Sequence, residues 1–397
     1  MIFSARLQRL EESATLRMAG LARELAQKGV NVINLSLGEP DFDTPDHIKT
    51  AAKAALDAGF TKYTPVAGIS ELREAIAAKM RTENGIACTA ANVVVSNGAK
   101  QSIFNVAAAL LNEGDEVLIL SPYWVSYSEM IKLADATPVM LPSSVAANFK
   151  STPDEIAAAI TPRTRILLFS SPCNPTGSVY TRAELTAIAE VVAQHKDLYI
   201  VADEIYEYIN FTEEGHFSIG SLPSVADRVV TVNGFSKGFA MTGWRLGYIV
   251  APLWIAQACE KIQGQITSGA TSFGQKAAVV ALTADRSPTT AMREAYRRRR
   301  DIVFNGLSTI DGIQPNDPHG AFYIFPNIAS FFGKQYGTHR ITSSEDFCMF
   351  LLDVAHVATV AGSAFGDDDC FRISFAASDD SIREAIERIR TACALLK

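Results

Sequence analysis

The chain has 397 residues, 48% of them apolar, and a formal net charge of −7 from 36 basic and 43 acidic side chains. That length points to two compact units with enough apolar residues for a large core. The acidic balance speaks against a nucleic-acid surface, which would show a basic excess. The opening residues, Met1-Ile-Phe-Ser-Ala-Arg-Leu-Gln-Arg-Leu-Glu-Glu12, lack the continuous apolar stretch of a secretion signal. No run is long enough to span a bilayer. The six cysteines form no Cys-x-x-Cys pair and the six histidines no His-Glu-x-x-His pattern. The expectation is a cytoplasmic protein with reduced thiols, no metal site and no membrane or nucleic-acid partner.

Between about residues 90 and 250 strands and helices alternate. Apolar, β-branched runs stand at 93–95, 117–120, 166–169, 199–202, 229–232 and 247–250, with helical stretches such as 101–111 and 182–195 between them. Runs that are apolar throughout mark strands covered on both faces, hence a largely parallel sheet with helices outside. Ligands on such sheets bind beyond the carboxyl ends of the strands. A long helical stretch at 289–308 carries Arg297 to Arg300, which point around the whole helix and predict a solvated or pairing surface. Short strands at 322–325, 357–360 and 371–374 then mix with helices at 343–355 and 379–397. They predict a second, α+β domain, with 332–339 as a surface loop.

The residues that carry chemistry stand mostly at the predicted strand ends. Ser96-Asn-Gly-Ala-Lys-Gln101 joins a strand to a helix, and the N–H groups of Ala99 and Lys100 there suit a phosphate; an ordinary turn explains the motif equally well. Trp124 could stack on a flat ring or sit in the core. Asn174, in Asn174-Pro-Thr-Gly177, could donate to a ring oxygen or serve turn chemistry alone. Asp203 ends a buried strand and needs a cationic partner, which a protonated pyridine nitrogen or an arginine would supply. Tyr206 is placed to reach the same oxygen as Asn174. Lys237 stands among small and aromatic residues that would lower its pKa and make the amine a nucleophile. Eight residues on, Arg245 offers a fork suited to a phosphate dianion.

Together with Gly38-Glu-Pro-Asp-Phe-Asp-Thr-Pro45, Lys62-Tyr63-Thr-Pro65, Gly68-Ile-Ser-Glu-Leu-Arg73, Ser121-Pro-Tyr-Trp-Val-Ser-Tyr127, Ala240-Met-Thr-Gly-Trp-Arg245 and Phe371-Arg372-Ile-Ser374, these motifs resemble the class I pyridoxal-phosphate aminotransferases, and closely their bacterial aspartate aminotransferase subgroup. The resemblance implies the fold type I of pyridoxal-phosphate transferases: an α/β large domain with a mostly parallel sheet of seven strands between helices, and a smaller α+β domain. It sets the large domain at 46–290 and the small one, with an N-terminal arm, at 1–45 and 291–397. Lys237 would carry pyridoxal 5'-phosphate as a Schiff base and shuttle the proton. Asp203 would pair with the ring nitrogen, Asn174 and Tyr206 with the ring oxygen, and Trp124 with the ring face. Arg245, Ser236 and the Ala99 and Lys100 amides would hold the phosphate. Arg372 would grip the substrate carboxylate under Gly38, and Tyr63 would reach a partner subunit's phosphate, making a homodimer. Gly234 replaces a hydroxyl residue of some relatives, which implies one phosphate contact fewer.

The implied reaction moves an amino group from aspartate, or another dicarboxylic amino acid, to 2-oxoglutarate by ping-pong kinetics. In that subgroup a lysine at the place of Lys100 meets the distal carboxylate. The stretch Ser13-Ala-Thr15 is similar to members that also accept prephenate, but those carry a lysine where this chain has Glu11, which lowers that expectation. Phe239, Phe322 and Tyr123 could admit aromatic substrates. A lyase or a broader alanine, aromatic or kynurenine transaminase of the same fold, or a pyridoxal-phosphate sensor without catalysis, are the alternatives.

Overall fold

The apolar runs pair into one seven-stranded sheet. In this computed structural model, which describes residues 3–397, the strands are β1 (Val93–Ser96), β2 (Glu116–Leu120), β3 (Thr137–Leu141), β4 (Thr164–Ser170), β5 (Tyr199–Asp203), β6 (Val229–Gly234) and β7 (Gly247–Val250). Their spatial order is β1-β7-β6-β5-β4-β2-β3. Strands β2 to β6 run parallel, and β7 lies antiparallel between β6 and β1. Every residue of β1, β2, β6 and β7 is buried, which explains apolar runs such as Val93-Val-Val95 and Val117-Leu-Ile-Leu120.

Successive side chains of each strand face opposite helix layers. On one face Val94, Ile119, Leu168 and Val201 meet Ile103 and Val106 of α4 (Ala99–Leu110), Met130 of α5 (Ser126–Leu133) and Cys259 of α7 (Leu253–Ile266). On the other, Val93 and Val95 meet Ile48 of α2 (Asp46–Asp57), Ile76 of α3 (Ser70–Thr82) and Ala277 of α8 (Ser272–Thr283). There too Leu118 and Leu167 meet Ile188 of α6 (Arg182–Ala193). Helix α1 (Ala14–Gln27) packs elsewhere, with the C-terminal part of the chain.

That part builds a three-stranded antiparallel sheet from β8 (Tyr323–Ile324), β9 (Val360–Ala361) and β10 (Phe371–Ser374). Around it lie α9 (Ser287–Leu307), α10 (Ser344–Phe350) and α11 (Asp379–Cys393). Helix α11 shows why it docks: Ser378 caps its first turn, and Ile382, Ala385, Ile386, Ile389 and Ala392 recur at helical spacing on one buried stripe. Each fully buried isoleucine there contributes about 1.5–3 kcal/mol of transfer free energy. Ile33–Asn34 pairs with Val357–Ala358 and so carries Ser36 and Gly38 back toward the large sheet.

Two segments depart from the periodicity reading. The edge strand β3 went unread because Thr137-Pro-Val-Met-Leu141 is partly exposed and contains a proline, which an edge tolerates. The segment at 332–339 is no simple loop, since Gln335–Tyr336 pairs antiparallel with His339–Arg340. In the arginine run, Arg299 is buried and bonds both Asp41 and Asp379, while Arg298 shares Asp379 and Arg300 pairs with Asp301 and Asp317.

Candidate active site

A cleft of about 480 Å³ opens where Ser170, Asp203 and the chain after Gly234 leave the sheet. Of the residues expected at a site, Gly38, Ala99, Lys100, Trp124, Asn174, Asp203, Tyr206, Ser236, Lys237, Arg245 and Arg372 all line it. Tyr63 does not. It is 97% exposed and lies in a separate shallow cavity beside Asn97 and Gly269.

One end of the cleft is a positive cradle. Gly98 precedes α4 with φ +86°, and a Cβ there would come within 2.3 Å of Arg245 Nη2. A Cβ on Gly247 would reach 2.2 Å from the Ala99 nitrogen. These two glycines let the guanidinium and the start of α4 approach each other. Arg245 donates to the carbonyl oxygens of Thr242 (2.9 Å) and Asn97 (3.4 Å), and Ser236 lies alongside. A helix N-terminus next to an arginine favours an anion. Gly234 is outside this cradle, buried in β6 with its Cβ direction blocked by Gly247 and Leu246.

The middle holds one buried carboxylate and one part-buried amine. Asp203 accepts from Tyr127 Oη (2.6 Å) and from the Ile205 N–H (3.2 Å). Burial away from water raises its pKa to about 6. Burial, and next the charge of Arg372, lower that of Lys237 to about 8, and its Nζ donates to the Gly38 carbonyl. Trp124 stands half-buried at the rim, with the Lys100 ammonium 5.0 Å from its ring centroid.

Arg372 occupies the far end, 2% exposed. Its Nη1 donates to Asn174 Oδ1 (2.9 Å), its Nη2 to the Ser36 carbonyl (2.5 Å), and its planar head lies 4.6 Å from the centroid of Tyr323 and 4.8 Å from that of Phe365. The hydroxyls of Tyr206 and Tyr323 bond each other at 2.8 Å. Tyr127 and Tyr323 also line the cleft and were missed as site residues. For Tyr323 the available signal was a tyrosine inside an otherwise apolar run, since a buried hydroxyl must find a partner, whereas Tyr127 stands between Ser126 and Ser128 with no such signal. Phe239, Phe322 and Tyr123 do not line the cleft: they pack into the core on either side of it. Glu11 is exposed outside the lining, its N–H bonded to Glu129, whereas Ser13 and Thr15 belong to it.

Beneath the turn after β5 lies a buried polar cluster. Lys79 pairs with Glu207, Asn84 donates to both Glu207 and Glu204, and Ser218 and His216 bond Glu204. Glu204 and Glu207 therefore face away from the cleft, while Asp203 and Tyr206 face into it. These acceptors are already engaged by donors within the protein.

The model of the family described as aminotransferase class I and II matches residues 30–389. The chain belongs to that family. It is 49% identical over 398 residues, covering 99% of this chain and 83% of its relative, to the bifunctional aspartate aminotransferase and glutamate/aspartate-prephenate aminotransferase of Petunia hybrida. Among solved structures it resembles the aspartate aminotransferase of Rhizobium meliloti, with a TM-score of 0.96, 41% identity and all of both chains covered. It also resembles that of Thermus thermophilus with maleate, with a TM-score of 0.93 and 41% identity over 99% of this chain and 100% of that one. The chain is thus a transaminase of fold type I, and its cofactor is pyridoxal 5'-phosphate.

The unmet valences of this aminotransferase fit that cofactor. Arg372 Nε is buried without a partner. Lys237, Arg245 and Arg372 donate only to neutral oxygens among the described residues. Asp203 is buried without a cation bonded to it. A cationic ring nitrogen, a phosphate and a carboxylate supply what these groups lack.

Proposed function

We propose that this aminotransferase moves the α-amino group of aspartate, or another dicarboxylic amino acid, to 2-oxoglutarate by a ping-pong mechanism. One observation carries the reading: four cationic residues, Lys100, Lys237, Arg245 and Arg372, line a cleft whose buried carboxylate is Asp203. Such a cleft suits a ligand with a single positive centre and several anionic ends. The Petunia hybrida and Rhizobium meliloti relatives named above are aspartate aminotransferases, and the Thermus thermophilus one was solved with maleate, a dicarboxylate.

The shared position of these residues in the cleft supports the following roles. When bound, the cofactor supplies an electrophilic carbon and a ring that withdraws electrons from the substrate Cα. Lys237 Nζ, with its pKa near 8, is partly neutral at physiological pH, so it can attach the cofactor and then move the proton of the substrate Cα. Asp203 keeps the positive charge on the ring nitrogen, and Asn174 and Tyr206 bond the ring oxygen. Trp124 covers one ring face. Arg245, Ser236 and the N–H groups of Ala99 and Lys100 hold the phosphate. Arg372 takes the α-carboxylate with Gly38 as roof, and Lys100 meets the distal carboxylate.

Residues 46–290 make the cofactor-binding domain, and 1–45 with 291–397 the smaller domain; their largely separate apolar cores support the division. The active unit is a homodimer in which Tyr63, wholly exposed in one chain, reaches the partner's phosphate. The cytoplasm is the proposed compartment, in keeping with six free cysteines. Prephenate is a second acceptor to test, because Glu11 stays outside the cleft lining and Ser13 and Thr15 enter it. The experiment is a half-reaction titration: amino acids are added singly to the purified holoenzyme while the cofactor absorption is followed. Aspartate and glutamate should convert it fastest, and 2-oxoglutarate should restore it. Conversion by no amino acid refutes transamination.

A further inference from the structure

Asp203 must stay ionised and aimed at the cofactor ring for the reaction above, and a residue outside the expected set touches both Asp203 and Trp124. Tyr127 lies in the first turn of α5, three residues after Trp124, and is 1% exposed. Its hydroxyl donates to Asp203 Oδ2 at 2.6 Å and is the one side-chain donor to that carboxylate among the described residues. Its ring meets Trp124 edge-on, with centroids 5.5 Å apart and planes at 86°. Burial and the Asp203 charge both oppose phenolate formation, so Tyr127 remains a proton donor across the working pH range.

We propose that Tyr127 is a positioning residue for pyridoxal phosphate, holding the Asp203 carboxylate toward the ring nitrogen and the Trp124 indole against the ring face. The inference rests on the cofactor site proposed above. Without the hydroxyl, Asp203 keeps only the Ile205 N–H as a donor. Its carboxylate then turns more freely and is less favoured as an anion, so the ring cation is held more weakly.

The test is Tyr127→Phe, which retains the ring and its packing. In equilibrium dialysis the variant should bind pyridoxal phosphate about two- to tenfold more weakly, the range expected for one buried hydrogen bond. The pH midpoint of the bound cofactor's colour change should rise by about half a unit, because a weaker ring cation withdraws fewer electrons. The kcat should fall while KM for aspartate stays within about twofold. Tyr180→Phe is the control. It removes another buried hydroxyl of the same domain, bonded to the Ser151 N–H at 3.0 Å, and should move neither affinity nor midpoint. In an Asp203→Asn background the added loss of affinity from Tyr127→Phe should shrink to under about twofold, since no anion remains to hold. Wild-type affinity and midpoint in Tyr127→Phe, or full additivity with Asp203→Asn, overturns the proposal. A wild-type protein that takes up no coloured cofactor instead overturns the site reading on which it stands.

Discussion

Replacing Lys100 with alanine tests the dicarboxylic substrate directly. Lys100 is the second residue of α4 and lines the cleft, its ammonium beside Trp124. Partial desolvation and the nearby Arg245 charge lower its pKa. In one chain the side chain is exposed, and an ion pair with water at hand contributes only about 0.2–1 kcal/mol. A substrate that fills the cleft displaces that water, and a charge-assisted hydrogen bond then contributes about 1.5–3 kcal/mol. At about 1.36 kcal/mol per tenfold in rate, the variant should lose about 10- to 150-fold in kcat/KM for aspartate and glutamate. Alanine has no distal carboxylate, so its kcat/KM should change by under about threefold, the loss of a weak cation–π contact included. Single-turnover half-reactions with aspartate, glutamate and alanine over a concentration series make the comparison. Equal losses for aspartate and alanine, or none for aspartate, refute the assignment.

Asp203→Asn keeps the shape and removes the charge; kcat with saturating aspartate should fall by about 10²–10³, the cost of removing a preorganised electrostatic partner, and an unchanged kcat would show that Asp203 does not face the ring. Lys237 has its pKa lowered to about 8, so its neutral amine grows as pH rises toward that value. Capture of pyridoxal phosphate by cofactor-free protein should accordingly speed up about tenfold per pH unit below 8 and level off above it, whereas a rate independent of pH excludes this amine as the nucleophile. Lys79→Met leaves Glu207 buried without its cation and should lower unfolding free energy in urea by about 3–5 kcal/mol, while adding Glu207→Met should recover most of the loss. Burial alone would raise the Glu207 pKa, but Lys79 and His216 outweigh it and hold it below the usual range. A depressed carboxylate stabilises above its unfolded pKa and loses that contribution as pH falls through the folded one, so the Lys79 variant should show a flatter stability profile on acidification than wild type.

The strands legible in the sequence were those buried on both faces. Val93–Ser96 and Gly247–Val250 carry no polar alternation because helices cover each side. Thr137–Leu141 escaped because an edge strand with a proline and exposed positions has no such signature. Among the site residues, legibility followed chemistry that is costly to bury. Asp203 and Lys237 stood out as charges next to apolar runs, Arg372 came only through the family resemblance, and the cleft gathers all three. Tyr127 and Tyr323 did not stand out, because their rings satisfy the core and only the position of one oxygen separates them from packing residues. The cluster of Lys79, Glu204 and Glu207 was equally silent, since pairing among residues over a hundred positions apart leaves no local pattern.

Arg372 shows why the site is built from incompletely satisfied groups. A guanidinium has five N–H donors, and burying one without partners is costly. Here the Tyr323 and Phe365 faces and two neutral acceptors offset part of that cost, yet Nε stays unpaired. An internal carboxylate in place of Asn174 would satisfy the cation and stabilise the fold, but it would also occupy the fork that an incoming carboxylate must take. The neutral amide of Asn174 orients the guanidinium without neutralising it. The same logic holds at Asp203, where a neutral phenol and a backbone N–H orient a carboxylate whose charge is left for the ligand to balance.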